Sequence, residues 1–550
     1  MSIHDFERPR ALKRLSGERF DVLVVGGGIT GAGVALDAAS RGLRVALVER
    51  GDIASGTSSK SSKLVHGGLR YLSQGEFGLV YEALAERQTA MRNAPHLVRQ
   101  LPFLIPMFTR DGLLNPRLAR AIGIAMWQYD LTGGVRIGRF HDRLDKEETL
   151  AHVPGLDRDR VASSYLYYDA RTDDARYTLA IARTAACDLG AVIVTRCTLV
   201  DLVMGDDGRI RGATVEADGD RFEVAATTVV NATGVWADRV EALDGARPSV
   251  ILRPAKGVHI TVPRSVVETD VAMVLPVPKD RRSVFVVPWG ELTYVGTTDT
   301  DYHGPLDTPD CTPEDVDYLL GAVNSSLVRA VERSDVVGAW SGLRPLVDGS
   351  VGRTADLSRR HSVTTADSGL VTVTGGKLTT WRRMAADTVD EVLPRLGKQR
   401  RCLTKKLHLR GKEGWDRIGL PGLDAATAEH LAGRFGGEAR VVLAIASERP
   451  DLADPLVPGL PYLRAEAVFS ARYEQVTTLD DVLSRRTRAR LLARDASAAA
   501  AASTAELLAS ELGWDRARIE AEVASYRADV RRERETAGLP ATPLEMYVGA

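Results

Sequence analysis

Cysteine is scarce in this chain. Four thiols (Cys187, Cys197, Cys311 and Cys402) are scattered through 550 residues with no short-spaced pair. That excludes a disulfide framework or a zinc ribbon and predicts reduced thiols in a reducing compartment. Long apolar runs are missing too. No stretch reaches the roughly 18 uninterrupted apolar residues of a membrane-crossing helix. The first 20 residues are charged throughout and lack the apolar centre of a secretory signal. Excess charge of one sign is absent as well. The formal net charge is −1, so no global field steers the chain to nucleic acid. With 44% hydrophobic content, the length suffices for roughly two to four domains.

Against that background the glycines are placed with purpose. Asp21–Val25 reads DVLVV and opens directly onto Gly26-Gly27-Gly28-Ile29-Thr30-Gly31. A helical pattern follows to Arg41-Gly42, and a second apolar run, Leu43–Val48, closes on Glu49. This is a βαβ unit carrying G-x-G-x-x-G. Gly26 permits the tight turn, Gly28 lets the backbone approach a pyrophosphate, and Gly31 lets helix and strand pack closely. The helix N-terminus offers free N–H groups to phosphate. Glu49, 18 residues beyond Gly31, is placed to accept hydrogen bonds from a ribose.

The fingerprint serves NAD and FAD alike, and two further features favour FAD. The apolar run Val229-Val230-Asn231 ends in Ala232-Thr233-Gly234. This is similar to the second nucleotide-contacting motif of two-domain flavoproteins, in which a substrate domain is inserted between halves of the dinucleotide fold. The strand-like LVTVT at 370–374 then opens onto Gly375-Gly376-Lys377-Leu378-Thr379 before a helical segment. That arrangement aims a helix N-terminus at a flavin ring. Strand-like alternation fills 191–230, with further strands near 257–262, 284–288 and 292–296. The pattern from about 75 to 130 is helical and then apolar with prolines. Beyond about 400, alanine, leucine, arginine and glutamate at helical spacing take over.

The densest polar run is Thr57-Ser58-Ser59-Lys60-Ser61-Ser62-Lys63-Leu64-Val65-His66-Gly67-Gly68-Leu69-Arg70-Tyr71-Leu72. So many polar groups cannot all be buried and satisfied in a core. They suit a loop wrapped around a cofactor and an anionic substrate. Arg70, Arg344, Arg359 and Lys377 come from separate Gly-containing or polar segments, and such cations suit a phosphate. Among only ten histidines, His66 and His259 stand near glycine and cations. A neutral imidazole is matched to taking a hydroxyl proton while hydride leaves the same carbon. These residues leave open which of the two acts.

The chain resembles the FAD-dependent, aerobic respiratory glycerol-3-phosphate dehydrogenase family over roughly residues 18–500. The motifs that carry the resemblance are SSKLVHGGLRYL at 61–72 with its preceding hydroxyls, EALAER at 82–87, DDAR at 173–176, NATGVW at 231–236, KGVHI at 256–260, SGLRPL at 341–346 and GGKLTT at 375–380. The resemblance implies an α/β fold, α+β in the substrate domain. It would be a two-domain FAD-dependent oxidoreductase with a Rossmann-like FAD domain, an inserted mixed-sheet substrate domain and a C-terminal helical domain. The expected boundaries are 18–400 (FAD-binding segments about 18–90, 160–245 and 350–400; substrate segments about 91–159 and 246–349) and 401–550.

The implied reaction is oxidation of sn-glycerol 3-phosphate to dihydroxyacetone phosphate, with hydride passing from C2 to flavin N5 and electrons to a membrane quinone. His259 and Arg344 would meet the reacting centre, with His66 as rival base. Arg70, Tyr71, Arg359 and Lys377 would line the substrate. Arg360 adjoins Arg359 where the family is often acidic, which leaves the register there open. The cofactor set would be Gly26, Gly28, Gly31, Glu49, Thr57, Ser58, Ser59, Ser62, Gly67, Gly68, Ala232, Gly234, Gly375, Gly376, Leu378 and Thr379, with no metal. An oxidase using oxygen is the first alternative, and a flavin-binding protein without turnover the second. The implied location is cytoplasmic, peripheral on the inner face of the cell membrane, with the oligomeric state open to a homodimer. Leu101–Trp127 is the candidate membrane segment, weighed against ordinary core, which is the favoured reading.

Overall fold

The computed structural model describes residues 2–68, 76–108, 126–127, 129–134, 138–245, 252–278, 280, 282–347, 360–417 and 423–543. Arg70, Tyr71 and Arg359 lie outside the described residues.

Two sheets organise the chain. In the first, strands run in the order His361–Thr365, Val371–Gly375, Asp220–Asn231, Phe20–Val25, Val45–Glu49, Val192–Thr195. The first pairing is antiparallel and the other four are parallel, with the central strands almost wholly buried, as continuous apolar runs require. The Asp220–Asn231 strand serves two partners. Its first half alternates between exposed and buried and pairs antiparallel with Ile210–Ala217. Its second half is buried and pairs parallel with Phe20–Val25. Helix Ile29–Ser40 covers one face. A Cβ on Gly33 would come within 2.6 Å of Trp381, so glycine lets helix Trp381–Val392 pack directly against it.

Among the described residues the second sheet has ten strands, with Leu252–Pro263 and Gly338–Val347 forming a long antiparallel ladder at one side. The Val161–Thr172 strand stands here, paired with Val98–Phe108 along the whole length of the latter. Sequence periodicity does not reveal Val98–Phe108 as a strand. Its prolines, Pro102 and Pro106, donate nothing to a ladder and direct their missing N–H groups to the same side. The strand makes only two pairs with Ala272–Pro276. Phe103 and Phe108 are buried, so 101–108 is core rather than membrane surface. Residues 109–125 lie outside the described residues. Helix Pro313–Asn324 packs on one face of this sheet. The other face carries Phe103, Tyr294 and Trp340.

The C-terminal part is helical, with its own core around Leu431, Val468, Leu483 and Leu508. Charges bind it to the first sheet's helices. Glu474 is fully buried and pairs with Arg176, Arg183 and Arg486. Gln475 accepts from the Thr195 N–H and donates to the Phe6 and Ile193 carbonyls. Burial alone would raise the Glu474 pKa, but Arg176, Arg183 and Arg486 outweigh it and hold the carboxyl below its usual range. Its stabilising contribution is therefore complete above the ordinary glutamate pKa and is lost as pH falls through the lowered folded value. Removing one partner of a buried pair strands the others, at a cost of about 3 kcal/mol. Glu474→Gln should lower the calorimetric unfolding temperature of the holoprotein at pH 7 and narrow its difference from wild type near pH 4.

Candidate functional site

A cavity of about 580 Å³ starts beside Glu49, passes the 26–28 turn and ends at Gly375–Leu378. Its walls fit a dinucleotide. Gly26 has φ +109°, and a Cβ there would lie 2.7 Å from the Ala232 carbonyl oxygen, so no side chain is tolerated where the two strands converge. A Cβ on Gly31 would lie 1.9 Å from the Gly26 carbonyl oxygen, which fixes helix against strand. At Gly28 the nearest obstacle is only Ser58 Oγ at 3.2 Å, so that glycine leaves room on the cavity side. Glu49 borders the cavity at the second parallel strand. Its carboxylate accepts from the Gly27 N–H (2.6 Å) and the Gly51 N–H (2.7 Å). Burial raises its pKa while those two N–H groups oppose the shift.

The expected cofactor residues divide into three groups. Gly26, Gly28, Glu49, Thr57, Ser58, Ala232, Gly234, Gly375, Gly376 and Leu378 all border the cavity, as does Lys377. Gly31 acts through packing. Ser59, Ser62, Gly67, Gly68 and Thr379 are not on the wall. Ser62 Oγ meets His259 Nε2 at 2.9 Å, and Thr379 Oγ1 accepts from the His66 N–H at 3.2 Å. A Cβ on Gly67 would come within 2.7 Å of both Leu84 and the Tyr129 hydroxyl. Sequence reasoning missed the Trp236 wall. Arg50 lies over its ring at 4.6 Å and is ion-paired with Asp307. The tryptophan stands in the NATGVW motif, which was the available signal.

The two histidines occupy different settings. His259 is 2% exposed and stacks on Trp340, with ring centroids 4.7 Å apart. Its ring lies over Gly296, where a Cβ would come within 2.0 Å. Nδ1 has no hydrogen-bond partner among the described residues. Burial, then the charges of Lys63 and Arg344, push its pKa well below the usual imidazole value, so the ring is neutral. His66 is only partly buried. It stands edge-on to Phe285 and beside Thr379, next to the turn that ends the cavity.

Arg344 is anchored by Asp299, Thr297 Oγ1 and the Thr298 carbonyl at 3.1 Å each, and the next residue, Pro345, borders the cavity. Lys256 takes no part, because it is paired with Asp315 at 2.5 Å. Arg360 pairs with Glu76.

This cradle and fold define a flavin-dependent oxidoreductase. Residues 21–382 match the FAD dependent oxidoreductase family, to which the chain belongs, and its cofactor is FAD. Residues 402–519 match the C-terminal domain of alpha-glycerophosphate oxidase. Within that family, the chain is 42% identical over 541 residues to a glycerol-3-phosphate dehydrogenase of Mycobacterium leprae, covering 96% of this chain and 91% of the relative. It is 38% identical to the mitochondrial glycerol-3-phosphate dehydrogenase of Bos taurus, covering 92% and 72% respectively. The crystal structure of glycerol-3-phosphate dehydrogenase from Bacillus halodurans complexed with FAD superposes with a TM-score of 0.77 at 30% identity, covering 99% of this chain and 98% of that one.

Gly26→Ala should produce folded protein that retains at least tenfold less FAD after gel filtration, read from the ratio of flavin to protein absorbance. Full retention would show that the turn does not hold the cofactor.

Proposed function

We propose that the chain oxidises sn-glycerol 3-phosphate to dihydroxyacetone phosphate and passes the electrons to a membrane quinone. The observation that supports this reading is the set of groups around one end of the FAD cavity. The Gly375–Leu378 turn with Lys377 and Pro345 border the cavity there, the His66 N–H is tied to Thr379 beside that turn, and Arg344 directly precedes Pro345. The names of the relatives support the substrate.

Bound FAD supplies the hydride acceptor. His66 takes the C2 hydroxyl proton. Its backbone is tied to Thr379 beside the turn that borders the cavity and its ring is only partly buried, whereas His259 is buried against Trp340, engaged with Ser62 and too weakly basic, since a general base works best with a pKa near the operating pH. Neutral His259 instead fixes Ser62. Arg344 stabilises the oxygen from which the proton leaves. Lys377, with Arg70 and Arg359 by the family pattern, holds the phosphate, and Tyr71 borders the substrate.

Anaerobic mixing with glycerol 3-phosphate should bleach the flavin, and glycerol should not. The reduced flavin should reoxidise rapidly with a soluble quinone and slowly with oxygen. No bleaching would overturn the oxidation, and rapid peroxide release would make the protein an oxidase. His66→Gln should slow reduction by about 10²- to 10⁴-fold, the range of general-base catalysis. A comparable loss only in His259→Gln would move the base to His259.

Among the described residues no helix is long and apolar enough to cross a membrane. An exposed apolar face does stand near the second sheet. Phe77 (54% exposed) and Tyr81 (52%) lie one turn apart on helix Phe77–Asn93, and Leu131 (70%) belongs to a turn packed on that helix. Large apolar side chains grouped at the surface suit the interfacial zone of a bilayer, so this face carries the proposed peripheral contact on the cytoplasmic side. A Phe77→Glu, Leu131→Glu double variant should co-sediment with anionic liposomes several-fold less than wild type at equal flavin content. Unchanged sedimentation would exclude this face.

A further inference from the structure

The loop that borders the FAD cavity at Thr57 and Ser58 continues to Lys63, whose side chain is 1% exposed. Its backbone sits in the left-handed region at φ +56°, unusual for a residue with a side chain. A buried ammonium needs partners, and here it has them. Nζ donates to Asp174 Oδ1 and to the Ser59 carbonyl, both at 3.0 Å. It lies 4.6 Å from the Trp340 ring centroid and 5.6 Å from that of Trp289.

The same Asp174 carboxylate accepts from the Ser61 N–H and Ser61 hydroxyl, and it is ion-paired with Arg488 of the C-terminal helical part. Arg488 also donates to Asp173 at 2.9 Å and to the Ser59 carbonyl at 3.2 Å. The loop is thus held from three directions at Ser59, Ser61 and Lys63. Further tethers run from Ser62 to His259 and from the Tyr294 hydroxyl to the Ser62 carbonyl. His66 follows three residues after Lys63.

We propose that Lys63 is a positioning residue whose ammonium form, set by Asp174 and by Arg488 from the C-terminal part, holds the 57–66 loop against both FAD and substrate. The loop's active shape then depends on the Lys63 proton. The charged groups facing it are Asp174 and Asp173 from helix Asp174–Arg183 and its cap, Arg488 from the C-terminal part, and His259 from the second sheet. Burial first, then Arg488, bring the Lys63 pKa down to about 8 against the pull of the two aspartates. Below that pH the clamp is charged and closed. Above it the ion pair and the cation–π contact with Trp340 weaken, while Arg488 still occupies Asp174. The kinetic part of this inference rests on the oxidation proposed above, but the FAD-binding part does not.

The decisive variant is Lys63→Arg, which keeps a positive charge that does not titrate below pH 12. Lys63→Gln keeps an N–H donor for Asp174 and Ser59 but loses the charge. In the holoenzyme, the rate of flavin reduction by glycerol 3-phosphate should fall at least threefold between pH 7 and pH 9 in wild type. It should stay level in Lys63→Arg, and in Lys63→Gln it should be low and level. Arg488→Met should move the alkaline fall to higher pH. Titration of apoprotein with FAD, followed by flavin fluorescence, provides a readout independent of turnover. Affinity should weaken at least threefold from pH 7 to pH 9 in wild type and not in Lys63→Gln, which is already weak at pH 7. A wild-type alkaline fall retained in Lys63→Arg, or FAD affinity in Lys63→Gln that follows wild type at both pH values, would overturn the proposal. Failure of glycerol 3-phosphate to reduce the flavin, with the FAD titration behaving as stated, would count against the substrate alone.

Discussion

The aspartate pair Asp173–Asp174, the second fully buried and the first nearly so, is the constraint on which the rest depends. It stands at the start of the helix that leads the chain from a strand of the second sheet to one of the first. Two carboxylates side by side in the interior are costly unless cations reach them. Those cations come from places far apart in the chain: Lys63 from the cofactor loop, and Arg434 and Arg488 from the C-terminal part. The Asp173 carboxyl is held far below its ordinary range although burial alone would raise it, because Arg488, Arg434 and Lys63 surround it. The C-terminal helices are therefore part of the scaffold behind the cofactor loop. Asp52 with Arg485 and Arg486 repeats the device at the neighbouring turn.

The site itself is built from close approaches. Glycines at 26, 31 and 296 bring backbone against backbone or imidazole, where any Cβ would collide. The result is a long cradle that ends at a Gly-Gly turn, and the loop beside it reaches a sheet face bearing aromatic rings. On that face a neutral imidazole and a fixed ammonium share one tryptophan, Trp340, which lets burial and charge act together on His259.

Much of this was legible in order along the chain. The G-x-G-x-x-G turn, Glu49, the Ala232–Gly234 run and the Gly375–Leu378 turn are local patterns, in which a glycine after an apolar strand has few other uses. The 57–72 run announced its importance by polarity alone. Its internal division was not legible, because Thr57 and Ser58 face the cofactor cavity while Ser59, Ser61 and Ser62 serve Lys63, Asp174 and His259. The strand at Val98–Phe108 was hidden by two prolines that its partner on one side tolerates. The different settings of the two histidines likewise could not come from spacing, since they depend on what packs on each ring.

By itself, the sequence determined the chemistry of the cofactor and the class of fold, since turn geometry and apolar periodicity act over short spans of chain. Tertiary structure alone decided which loop residues border the cofactor cavity, which of the two imidazoles is buried, and that Lys63 is a buried charge rather than a surface one. Those outcomes depend on the desolvation of each group and on partners more than a hundred residues away, Asp174 and Arg488, which no local pattern encodes.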